Sequence, residues 1–257
     1  MKKTIIILGC LAVLGLAVGF GVPAIVRHLN EGKDIPVLMY HGIADDQGND
    51  KYVVRTEVFR GQMAALKEHG FTCILPNDIA RAKKGWFLLP EKPVVLTFDD
   101  GFRNNLLNAE SVMKEYGMRG ICYLVTDFIG EGETDRKQYR AQDCLTWEEV
   151  RAMAARGTFT FGCHSMTHTP NAHRQALEVQ EGRYVISRMA GIHTVSYCYP
   201  HGGAHEPVKA EVVRKRYTTA MICGDRVFTL TKDADLFEIP RVSVHGGFLK
   251  DEFEWLK

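Results

Sequence analysis

The sequence predicts an α/β protein, a parallel sheet or barrel with covering helices, and three observations carry that expectation. Short β-rich runs alternate with helically periodic segments from Asp34 onward. No internal repeat, low-complexity tract or second domain breaks the alternation. Several apolar runs end in polar residues, as in a parallel barrel whose chemistry gathers at the C-terminal ends of its strands. With 257 residues, 46% of them hydrophobic, the chain buries a sizeable core without disulfides or a partner subunit.

Taken in order, the chain opens on Lys2 and Lys3, followed by an uncharged and almost wholly apolar stretch from Thr4 to Val26, long enough to span a bilayer. The run passes Gly19, Gly21 and Pro23 without a clear small-residue cleavage site. Residues 1–30 therefore read as a signal-anchor or transmembrane segment, with a cleaved signal as the alternative. Lys2 and Lys3 place the N-terminus in the cytoplasm and residues 31–257 outside it, although Arg27 and Lys33 soften the asymmetry. The expected protein is thus membrane-anchored through its N-terminal helix, with its globular domain periplasmic or at the cell surface, or secreted if the segment is cleaved. A formal net charge of +1 gives no electrostatic reason to expect nucleic acid as a partner, and Arg214-Lys215-Arg216 reads as a solvated helix face.

Seven runs read as strands: Pro36 to Tyr40, Pro93 to Phe98, Gly120 to Val125, Thr158 to Cys163, Thr194 to Tyr199, Thr218 to Cys223 and Phe237 to Val244. Among the intervening helices, Phe59, Met63 and Leu66 repeat at helical spacing before a stop at Gly70. Thr146 followed by Glu149 is a capping-box signal for a helix ending near Gly157, and Pro207 suits the first turn of a helix to Arg216. Six cysteines follow the apolar segment, an even count that permits disulfides in an exported domain. Cys122, Cys163, Cys198 and Cys223 sit in apolar strand runs and read as small buried hydrophobes, and without a CxxC pair a cysteine zinc site is not expected.

Four strand ends carry chemistry. Val94 to Phe98 runs into Asp99-Asp100-Gly101, Phe159 to Cys163 into His164, Val37 to Tyr40 into His41, and Ser196 to Tyr199 into Pro200-His201-Gly202. Adjacent carboxylates repel, so at least one of Asp99 and Asp100 needs a cation, a proton or a hydrogen-bond donor, and a metal ion is the economical solution. On a regular strand the two would face opposite ways, but Gly101 lets the chain leave the strand there and bring both toward one pocket. His164 and His168, four residues apart, lie on one face of a helical turn and can share a metal ion, with one Asp as third ligand. Alone, Asp-Asp-Gly is a surface turn and the His pair a capping or surface feature. Together at strand ends they read as a metal site with open positions for water and substrate.

Thr97-Phe98-Asp99-Asp100-Gly101 resembles the first motif of the polysaccharide deacetylases that share the NodB homology domain, carbohydrate esterase family 4, and His164-Ser165-Met166-Thr167-His168 matches their H-[ST]-x-x-H metal motif. The resemblance extends through Pro36 to Gly42, Phe59 to Gly70, Thr146-Trp147 and Ile239-Pro240-Arg241, and is nearest to deacetylases acting on poly-N-acetylglucosamine. It implies a distorted (β/α) barrel of fewer than eight strands over residues 31–257. It implies a hydrolase that removes N-acetyl groups from an N-acetylglucosamine polysaccharide and releases acetate. Peptidoglycan or chitooligosaccharide deacetylation, or carbohydrate binding without turnover, are the alternatives. By the same resemblance Asp100, His164 and His168 hold a divalent metal, with Zn2+ expected and Co2+ or Ni2+ as alternatives. Asp99 is the general base acting on a metal-bound water, and His41 the general acid, with His245 as its alternative.

One motif departs from the family. Its usual Arg-x-Pro-Tyr-Gly or Tyr-Pro-Tyr-Gly is here Cys198-Tyr199-Pro200-His201-Gly202, without the arginine. That leaves open which group orients Asp99; Arg241 is a candidate, and a solvated or structural ion pair is the other reading of it. His28, His69, His173, His193 and His205 read as surface or helix-end residues. Trp86 and Trp255 read as sugar-stacking or packing residues, and Trp147 as packing.

Overall fold

A computed structural model describes residues 21–46, 48, 50–203 and 207–245. All seven expected strands form: β1 (Val37–Tyr40), β2 (Pro93–Phe98), β3 (Gly120–Leu124), β4 (Phe159–Cys163), β5 (Ser196–Cys198), β6 (Thr219–Cys223) and β7 (Ile239–Ser243). Each lies parallel to the next in sequence, and β7 pairs back onto β1, so the sheet closes into the expected barrel one strand short of eight. Both faces of such a sheet are covered, which is why the strands read as unbroken apolar runs.

Alternation along the strands sorts the side chains. Val37, Val95, Ile121, Tyr123, Met221 and Ile239 pack together inside the ring, while Leu38, Leu96, Phe98, Cys122 and Leu124 pack outward against the helices. Those helices are α1 (Thr56–Glu68), α2 (Pro76–Lys83), α3 (Glu110–Glu115), α4 (Trp147–Arg156), α5 (Ala172–Ala190) and α6 (Pro207–Arg216). The capping box of α4 is present, with Glu149 N donating to Thr146 Oγ1 (3.3 Å) and Thr146 N to Glu149 Oε2 (3.0 Å). Gly157 ends α4 in a left-handed turn, and the Thr146 N-cap at its start stabilises the helix by about 1 kcal/mol. Ile74, Ile79, Leu89, Phe228 and Leu230 join the inner cluster and plug the N-terminal end of the barrel. Chemistry is left to the C-terminal end.

The apolar N-terminal run lies, up to residue 20, outside the described residues, among which no helix is long and apolar enough to cross a membrane. Residues 21–30 are helical and dock on the domain through Asn30. Its Nδ2 donates to the carbonyls of Phe87 (2.8 Å) and Ala82 (3.3 Å), and its Oδ1 accepts from Leu89 N (3.0 Å). The six cysteines are all free thiols. Cys223 is exposed rather than buried, because it ends β6 at the rim where the barrel opens.

Candidate active site

Asp99 continues the inward face of Val95 and Thr97, so its carboxylate enters the barrel mouth. Arg241, on the inward face of β7, meets it with two parallel hydrogen bonds, Nη1 to Oδ1 and Nη2 to Oδ2, both 2.8 Å. Arg241 Nη1 also donates to Thr97 Oγ1 (3.1 Å). The arginine is fully buried, not solvated, and clamps Asp99 in one orientation. Burial alone would raise the pKa of Asp99. The Arg241 guanidinium, helped by His164, outweighs burial and holds the carboxyl well below the usual carboxylate range.

Asp100 shares the mouth because the backbone turns left-handed at Asp100 itself (φ 71°) and again at Gly101 (φ 79°). The reversal begins one residue before the glycine, in a conformation costly for an L-residue with a Cβ. At the end of β4, His164 Nδ1 lies 2.8 Å from the Cys198 carbonyl. A carbonyl only accepts, so Nδ1 carries the proton and Nε2 turns a lone pair toward Asp100 Oδ1, 3.8 Å away. His168 Nε2 stands 3.7 Å from the same oxygen. The two imidazoles meet as the spacing predicts, but not on a helical turn. Ser165 (φ 69°) and His168 (φ 53°) are left-handed residues of a tight loop. Glu178 of α5 pins that loop, accepting from Met166 N (3.1 Å), Thr167 N (2.9 Å) and Thr167 Oγ1 (2.7 Å).

These residues fit a divalent cation. Asp100 Oδ1 is buried without a hydrogen-bond partner, and burial followed by the neighbouring Asp99 charge pushes the Asp100 pKa up to about 8. Burial lowers the pKa of both His164 and His168, that of His168 to about 3, so each presents the neutral form that ligates. Tetrahedral ligands about 2.1 Å from a zinc ion lie about 3.4 Å apart, close to the spacing seen. A second cluster, Asp99 with His164 and Cys198, is equally compact, but both oxygens of Asp99 are already held by Arg241.

Asp100 ionises at an ordinary value of 3.8 when unfolded and at about 8 when folded and metal-free, so its folded-state benefit is complete below the lower value and lost as pH rises through the upper one. His41, His164 and His168, whose pKa values folding lowers from 6.5, act in the opposite sense below that value, so the Tm of metal-free protein is expected to fall between pH 6.5 and about 8, and Zn2+ to restore it at the alkaline end. A Tm indifferent to Zn2+ at high pH would rule out this ligand set.

The cleft above the cluster has a volume of about 440 Å³ and is lined also by His41, Tyr52, Tyr139, Arg140, His201 and His245. Tyr52 stands between the two outer histidines, 4.8 Å from His41 and 5.8 Å from His245 between ring centroids. Asn105 Nδ2 fixes the strand end by donating to the His41 carbonyl (2.8 Å). Burial lowers the His41 pKa to about 4 despite the nearby Asp99 charge. His201 sits in a left-handed turn (φ 58°) with Nε2 donating to the His168 carbonyl (3.2 Å).

Tyr52, Tyr139 and Arg140 escape the sequence reading. The last two sit on a hairpin of two-residue strands, Gln138–Tyr139 and Gln142–Asp143, and Tyr139 stacks on Phe128 at 4.4 Å. Arg140 crosses to the Tyr52 ring at 4.5 Å. The available signal was two aromatic-basic pairs in polar loops, Lys51-Tyr52 and Tyr139-Arg140. Trp86, by contrast, is exposed and does not line the cleft.

Comparison with known proteins bears on this geometry. Residues 89–220 match the family model described as polysaccharide deacetylase. Over 225 residues the chain is 25% identical to the protein YxkH of Bacillus subtilis (strain 168), covering 85% of this chain and 74% of that one. Over 147 residues it is 26% identical to the poly-beta-1,6-N-acetyl-D-glucosamine N-deacetylase of Escherichia coli (strain K12), covering 53% of this chain but only 20% of that one. Its fold is similar to that of BC0361, a polysaccharide deacetylase from Bacillus cereus, with a TM-score of 0.73 at 23% identity over 88% of this chain and 69% of that one. The family match takes in Asp99, Asp100, His164 and His168 and spans just over half of the sequence, and the chain belongs to the polysaccharide deacetylase family.

Proposed function

We propose that this chain hydrolyses N-acetyl groups from the N-acetylglucosamine units of a polysaccharide, releasing acetate and leaving free amines. One observation carries the reading: an Asp99 clamped by Arg241 shares a cleft with an unpartnered Asp100 oxygen facing His164 and His168. Those last three residues would hold a divalent cation, Zn2+ first and Co2+ or Ni2+ as alternatives for the same donors. When bound, the cation supplies Lewis acidity toward a water and the acetamide carbonyl.

Asp99 takes the proton from the attacking water, being ionised at neutral pH with its lone pairs held in place by Arg241. The backbone N–H of His201, in the turn Pro200–Gly202 at the mouth, is the donor offered to the carbonyl oxygen as it gains charge. His41 delivers the proton to the departing nitrogen. Burial keeps it neutral in the free protein, and the negative charge that builds on the substrate favours its protonated form. His245, across Tyr52, is the alternative acid.

The poly-N-acetylglucosamine named in the Escherichia coli relative supports that polymer as the substrate, with chitooligosaccharide and peptidoglycan as alternatives. Tyr52 and Tyr139 offer ring faces to sugars at the rim. The apolar run from Thr4 to Val26 supports a membrane anchor with the barrel outside the cytoplasm, where such polymers are exposed.

Acetate release from poly-N-acetylglucosamine, chitooligosaccharide and peptidoglycan, measured side by side with Zn2+-loaded protein, tests the assignment. The first is expected to be the best substrate. Acetate chiefly from another polymer would reassign the substrate, and none from any of the three would remove the reaction.

A further inference from the structure

We propose that the N-terminal end of the barrel rests on a lipid bilayer through an apolar face built jointly by helix 21–30 and the segment 84–89, with the catalytic mouth turned away from the membrane. Among the described residues eight large hydrophobic side chains are exposed, and five of them, Val22, Ile25, Leu29, Trp86 and Leu88, belong to these two segments, each more than half exposed. Clustering on this scale needs an explanation that scattered surface apolar residues do not.

The face is one rigid body. Val22, Ile25 and Leu29 recur at helical spacing and form a single stripe. Asn30, one residue on, is buried and bonds to three backbone groups between Ala82 and Leu89. Arg27 Nη1 donates to the Lys84 carbonyl (3.2 Å). Gly85 (φ 79°) packs so tightly on Pro23 that a Cβ there would come within 2.0 Å of the Pro23 oxygen. Beyond that contact Phe87 and Leu89 turn inward to the core cluster while Trp86 and Leu88 turn out, so the loop and the helix docked on it both direct apolar residues away from the domain.

Two features select a bilayer as the occupant. The apolar, uncharged run from Thr4 leads in sequence directly into the helical residues 21–30. Basic residues lie in or beside the two segments, Arg27, Lys33 and Lys84, and the Lys84 ammonium lies 5.0 Å from the centroid of the Trp86 ring. A tryptophan, aliphatic side chains and basic groups together match the lipid interface, where rings sit at headgroup depth and cations meet anionic lipid. Both segments lead into the N-terminal ends of β1 and β2. The six residues of β2 span about 20 Å, which separates this face from the cleft. The proposal rests on the N-terminal run lying in a membrane and is independent of the substrate assignment.

The test uses the full chain in vesicles of phosphatidylcholine and phosphatidylglycerol, with the Trp86 emission isolated as the difference between the native protein and Trp86→Phe. Nitroxide-labelled acyl chains are expected to quench most of that difference, while aqueous iodide leaves it nearly unchanged. Emission that iodide quenches and lipid nitroxide does not would overturn the proposal, as would a chain that fails to bind vesicles. Retention through an alkaline carbonate wash reads the anchor separately: a retained chain with a water-exposed Trp86 sinks the docking face alone. Trp86→Phe should also release acetate from soluble oligomers at the native rate, which keeps a failure of the deacetylase reading distinct.

Discussion

Asp99→Asn is expected to lower kcat for acetate release by about 10²–10⁴-fold, the usual worth of a positioned general base, with KM little changed. The amide keeps the size of the carboxylate and still faces Arg241, so the cleft retains its shape. What it lacks is a basic lone pair to receive the proton of water. The loss should hold at saturating Zn2+ and at every pH where the native enzyme turns over, because Asp99 is ionised throughout that range. Steady-state acetate release decides the matter: a variant within about threefold of the native kcat would remove Asp99 from proton transfer, that being well below what a general base contributes. The Tm of the variant must be recorded alongside, since Arg241 is left buried beside a neutral group.

Arg241→Met carries the second large effect, on stability and on pH dependence together. Removing one partner of a buried ion pair costs about 3–5 kcal/mol, because the other charge is left uncompensated, and Asp99 is almost inaccessible to water. Chemical denaturation measures that loss. The sign of the pH effect follows from the forces on Asp99. Burial raises its pKa, and Arg241 is the first of the groups that reverse this. Without the guanidinium the carboxyl protonates at higher pH, so the acid limb of the kcat/KM profile moves to the alkaline side. Arg241→Lys keeps the charge without the two-pronged geometry and should fall between the two. A stability loss with an unmoved acid limb would leave Arg241 as a brace with no part in tuning the base.

The seven strands are legible in the sequence because a parallel sheet covered on both faces writes itself as runs such as Val94 to Phe98. The longest helix among the described residues, α5, is not. It carries charged residues along its whole length and Gly182 in its interior, so no clean apolar period marks it. The chemistry at the strand ends is legible for the same reason as the strands: Asp99, His164 and His41 each interrupt an apolar run. The way the ligands meet is not. Asp100, Ser165 and His168 adopt left-handed backbone without being glycine, and that conformation leaves no compositional mark. Arg241 could be named as a partner for Asp99, whereas the rim formed by Tyr52, Tyr139 and Arg140 rests on loops and two-residue strands too short to show any periodicity.

The ring closure has a temporal side. Asp99 and the arginine that neutralises it are separated by 142 positions in the chain, and the last strand of the barrel carries the counter-charge of the second. During synthesis the carboxylate emerges long before its partner, and any intermediate lacking β7 must keep that group hydrated or protonated. Charge balance at Asp99 and closure of the sheet therefore arrive in one late step.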